Sequence, residues 1–85
     1  MNPHAMEQAK RGAERVSGVS NVTYDLIAVL YNTLEGIAAV EAYRQDADAA
    51  GDGEAAAFLA AWEKMAQGQV DQLRGLLAQR LAAPR

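Results

Sequence analysis

Three glutamates stand on or beside helical stripes of apolar residues, and they carry most of the chemistry this chain can offer. Glu41 continues the series Ile27, Leu30, Leu34 and Ile37, while Glu63 falls within Leu59, Ala66, Val70, Leu73 and Leu77. Glu35 borders the first stripe beside Leu34. A carboxylate facing a helical core has to be neutralised, paired with a base or bound to a cation. If two chains pair, each glutamate is doubled, and four or more carboxylates near one axis are the raw material of a di-iron site. Such sites also want a histidine three residues after the glutamate, on the same helix face. Here those positions hold Ala38, Arg44 and Ala66, and the single histidine is His4. Two readings therefore stand. Glu35, Glu41 and Glu63 form a carboxylate-only metal site, with iron as the metal, or they lie at the rim of a narrow seam and pair with Arg44 or Lys64.

Other chemistries have less material. From Asp46, the calcium-loop spacing is met at its first, third and sixth positions by Asp46, Asp48 and Gly51. It fails at Ala50 and at Ala57, where a bidentate glutamate belongs. This stretch reads as a solvated, capped turn. There is no cysteine, so disulfides and thiolate sites are excluded. No Ser/His/Asp nucleophile set or phosphate-binding glycine loop can be assembled, so no catalytic residue and no cofactor are expected. The formal net charge of −3 argues against nucleic acid or an anionic membrane surface as partner. Tyr24, Tyr31, Tyr43, Phe58 and Trp62 lack interleaved basic residues, and they read as core or interface.

These residues must be positioned by helices. Residues 22–54 carry seven acidic groups and one basic group, whereas the flanks are mildly basic, as expected of a chain that doubles back at 46–54. The spacing predicts helix A over about 22–48, a turn over about 49–53 and helix B over about 54–82. Ser20 to Thr23 offer caps for helix A, Asp25 is expected in its first turn, and Asp52 caps helix B. Gly51 or Gly53 supplies the left-handed residue between them. A second apolar stripe on helix A, Val29, Gly36, Val40 and Tyr43, asks for a second neighbour. Gly36 and Gly68 fall at one level and suggest a close backbone approach. Residues 1–20 read as a mobile or docking segment, with Met6, Ala9, Ala13 and Val16 along one stripe of a short helix. No apolar run approaches the roughly 20 residues of a membrane span, and no signal-peptide core opens the chain, so a cytoplasmic protein is expected.

The series Tyr24-Asp25-Leu26-Ile27, Leu30-Tyr31, Gly36, Tyr43, Asp46-Ala47 and Gly51-Asp52 resembles small bacterial ferritin-like hairpin proteins. It is similar in plan to the encapsulated ferritins, over about residues 20–82. The resemblance implies a two-helix chain that dimerises into a four-helix bundle, with iron binding or ferroxidase activity among the better-known relatives. Glu35 and Glu63 are then the nearest equivalents of the helix A and helix B glutamates. Ala66 stands where the partner histidine belongs, and Asn32 where nearer relatives are expected to have histidine.

The expectation is thus an all-α antiparallel hairpin that self-associates into a dimer or larger oligomer as a structural or interaction module. Its interface residues are Val29, Leu30, Leu34, Ile37 and Val40 of helix A with Leu59, Trp62, Ala66, Val70, Leu73 and Leu77 of helix B. A ferritin-like iron-binding protein is the alternative, and a protein partner docked through one tail is a further possibility.

Overall fold

The structure, a computed structural model, describes residues 18–82. They form two α-helices, α1 (Asn21–Ala49) and α2 (Gly53–Ala82), packed antiparallel as a hairpin, with no strand among the described residues. The expectations for residues 1–17, including the short Met6–Val16 helix, lie outside the described residues.

The ends of both helices follow from local chemistry. Ser20 caps α1 in an extended conformation, and its hydroxyl oxygen accepts the Thr23 N–H at 3.1 Å. The same hydroxyl donates to Thr23 Oγ1 at 3.0 Å, so two otherwise orphaned polar groups satisfy each other. α1 starts at Asn21, so Asp25 lies one residue past the first turn expected for it. At the other end the chain closes a two-bond cap: the Asp52 N–H reaches the Ala47 carbonyl at 2.9 Å and the Gly51 N–H the Asp48 carbonyl at 3.1 Å. Gly51 takes the required left-handed conformation, φ 70°, which a β-carbon would strain. Asp52 then starts α2, its carboxylate accepting the Ala55 N–H at 3.0 Å. Glu54 in the first turn and Arg80 in the last suit the helix dipole.

Between the helices runs one narrow seam. On α2 it is Leu59, Glu63, Ala66, Val70, Leu73 and Leu77, the stripe expected from spacing, and all six are buried or half-buried. On α1 the buried stripe differs from the expected one. It is Thr23, Leu26, Leu30, Thr33, Ile37, Val40, Arg44 and Ala47, at alternating three- and four-residue steps, whereas Ile27, Leu34 and Glu41 are exposed. The cause is that α1 has apolar residues on more than one face, so more than one helical phase offers an apolar stripe and the fit to α2 chooses between them. The chosen phase carries polar residues at little cost: the Thr33 hydroxyl donates to the Val29 carbonyl of its own helix at 2.7 Å.

The expected glycine contact is also replaced. A β-carbon on Gly36 would stand 3.2 Å from the Trp62 indole, while Gly68 and Gly75 face open space. Gly36 makes room for an aromatic ring, not for the opposite backbone. No described side chain is completely sealed from solvent, and the large buried apolar residues are only Val40, Leu73 and Leu77.

Candidate functional site

The one buried charge in the seam is Glu63, only 7% exposed. Its position follows from α2 phase: it sits four residues after Leu59 and three before Ala66, so it cannot point away from α1 without taking both with it. The structure answers it with Arg44, which occupies the matching seam position on α1. Arg44 Nη1 donates to Glu63 Oε2 at 2.9 Å. Glu63 Oε1 is buried and accepts no hydrogen bond from the protein. Arg44 also stands 3.5 Å from Glu41 Oε2, a looser and solvent-exposed pairing. The hydrogen bond and charge of Glu63, with smaller help from Glu41 and Asp48, raise the guanidinium pKa above its ordinary value. A raised cation gives its stability below the ordinary value and loses it only when pH climbs past the folded one. Arg44 therefore remains charged throughout the ordinary pH range.

Of the other two glutamates, Glu41 reaches the pair only through its exposed 3.5 Å contact with Arg44, and Glu35 does not reach it. Glu41 is exposed at the edge of α1, and Glu35 is exposed away from the seam. Among the described residues no three His, Cys, Asp or Glu side chains gather where they could hold a metal ion. In the acidic turn the Asp52 carboxylate caps α2, while Asp46 and Asp48 contribute their backbone carbonyls to the end of α1. Within one chain, then, the carboxylates do not fit an iron pair: the buried one already has a cation, and the others face water. An open hollow of about 460 Å³ lies at the turn, lined by Asp52, Glu54, Ala55, Phe58 and Leu59.

The hairpin also leaves apolar surface uncovered. Tyr24, Ile27, Tyr31 and Leu34 lie exposed along one side of α1, with Val22, Val29 and Tyr43 elsewhere on the same helix. On α2, Phe58 is 68% exposed and Met65 60%. Of the residues expected at an interface between copies, Leu30, Ile37, Val40, Leu59, Ala66, Val70, Leu73 and Leu77 are used in the intrachain seam. Trp62 is half-buried over Gly36, and Val29 and Leu34 remain free for an outside neighbour. Tyr24 and Tyr31, which the sequence reads as core or interface, lie exposed on this surface beside Ile27 and Leu34. By length and composition α1 is also apolar enough to cross a membrane, although no unbroken apolar run exists: Asp25, Asn32, Thr33 and Glu35 interrupt it. No protein-family model, curated protein or solved structure matches the chain.

Proposed function

We propose that this chain is a self-associating helical hairpin that works as a structural or interaction module through its exposed apolar faces. The observation that carries the reading is α1, a helix whose Tyr24, Ile27, Val29, Tyr31 and Leu34 stay exposed because its one neighbour covers a different face. Such a helix is stable in water when further helices surround it. Exposed contiguous apolar surface on a small soluble chain marks a site of association. A hairpin this short has a core too small to be comfortably stable alone, and with no cysteine it cannot be stapled by disulfides. The four-helix arrangement implied by the ferritin-like resemblance is one way to meet this need.

The ferritin-like resemblance also suggests iron, and the seam speaks against it. Arg44 already occupies the place beside Glu63 where a cation would sit, and Ala66 stands where a histidine ligand belongs. Native mass spectrometry of untagged protein, offered ferrous iron, tests both readings in one spectrum. A defined oligomer without iron is the expected result. A monomer at micromolar concentration overturns self-association. Iron retained through desalting and lost in Glu63→Ala would instead restore the metal reading.

A further inference from the structure

The exposed side of α1 is self-complementary when it meets its own copy running in the opposite direction. Tyr24, Ile27, Tyr31, Leu34, Ala38 and Glu41 are all exposed and follow one another at three- and four-residue steps. That is the spacing of a coiled-coil seam, lying beside the one already occupied by α2. From this register we infer that two copies pair through this stripe with their α1 helices antiparallel, about a two-fold axis level with residues 32 and 33. This inference rests on the self-association proposed above and adds its face and its orientation.

In the antiparallel register each residue meets a complement. Tyr24 lies beside Glu41 of the second copy, where a phenol can donate to a carboxylate. Ile27 lies beside Ala38, large against small. Tyr31 lies beside Leu34, next to the axis. Such a pairing is isologous, each contact occurring twice by symmetry. The parallel register sets Glu41 against Glu41 and Tyr24 against Tyr24.

The charge of the whole hairpin points the same way. Asp46, Asp48, Asp52 and Glu54 crowd the turn end. Parallel copies bring two such ends within the roughly 8–10 Å over which charges act in salt. Antiparallel copies place the turn ends of the two α1 helices about 50 Å apart, at 1.5 Å per residue and an axis between residues 32 and 33. Each acidic turn then lies toward the end of the partner that holds Arg80, the cation in the last turn of α2.

The other occupant the chain itself offers is its N-terminal segment. It fits less well: its stripe of Met6, Ala9, Ala13 and Val16 is half alanine and spans about 15 Å as a helix, against about 26 Å from Tyr24 to Glu41.

The absence of cysteine makes the test direct. Ile27→Cys and Ala38→Cys are made as separate proteins, checked for helicity by circular dichroism, refolded alone or together and oxidised. A disulfide needs α-carbons about 4.4–6.8 Å apart. Eleven residues of offset place two copies of either cysteine about 16 Å apart in the antiparallel pair. The expected result is a cross-linked dimer in the mixture and none from either protein alone. Cross-linking of each protein with itself overturns the orientation while self-association stands. An oligomer that cross-links in no mixture overturns the face. A monomer by light scattering overturns both proposals, and a monomer with the Ile27→Cys thiol shielded from alkylation would assign the stripe to residues 1–17.

Discussion

Arg44 and Glu63 show how a charged pair can sit in a narrow helical seam. Glu63 is held inward by its helix phase, and Arg44 reaches it at 2.9 Å because Arg44 shares the seam phase on α1. A buried pair of this kind is poor evidence of net stability, since desolvation offsets attraction, but removing one partner strands the other. Arg44→Leu is therefore expected to lower the melting temperature clearly, and adding Glu63→Leu to restore it to the starting value or above. Thermal unfolding of the four proteins in that cycle checks this, and additive losses would show that the pair is not coupled. Gly36 makes a second residue-scale statement. Gly36→Ala has to move the Trp62 ring, while Gly68→Ala and Gly75→Ala meet nothing. The latter two are expected to stabilise by about 1 kcal/mol each through helix propensity. Only Gly36→Ala should alter the emission of the single tryptophan, as read by fluorescence during denaturant unfolding.

At the scale of elements, the two helices are specified mostly by their ends. Ser20, Gly51 and Asp52 satisfy backbone groups that a helix leaves unpaired, and each has the side chain or backbone freedom its position demands. Asp52→Ala is expected to cost about 1 kcal/mol of stability by leaving the Ala55 N–H to water. Chemical denaturation should report it as a lower midpoint with an unchanged slope. These signals were legible in the sequence, and so was the α2 stripe, because α2 alternates one apolar face with polar ones. The α1 stripe was not. Of Leu26-Leu30-Thr33-Ile37 and Ile27-Leu30-Leu34-Ile37, counting spacing alone favours the second, which is the more apolar of the two. The structure takes the first, leaving Ile27 and Leu34 outside.

For the whole molecule the consequence is a hairpin with more apolar surface than it can bury. Leu73 is among the few large side chains that are buried, so Leu73→Ala is expected to cost about 2–5 kcal/mol and to unfold so small a core. Leu34 lies outside the seam, and its role belongs to association. If chains pair, the melting temperature rises with protein concentration by mass action. Leu34→Asp is expected to abolish that dependence and to shift the species seen by light scattering to monomer. A melting temperature independent of concentration in the unchanged protein would count against pairing. The three glutamates gain their meaning at this scale too: alike by type, they are separated by the fold into one paired and buried, one at an edge and one in water.

By itself the sequence determined two long helices, the turn between them, its capping residues and the face of α2 that turns inward. All of these depend on neighbours within a few residues, through hydrogen bonds closed locally or a periodicity with one solution. Only the tertiary structure decided which face of α1 meets α2, that Arg44 answers Glu63, and that Trp62 rests on Gly36. Those choices depend on the fit between two helices far apart along the chain. For a helix with more than one apolar stripe, that fit is not written in its own spacing.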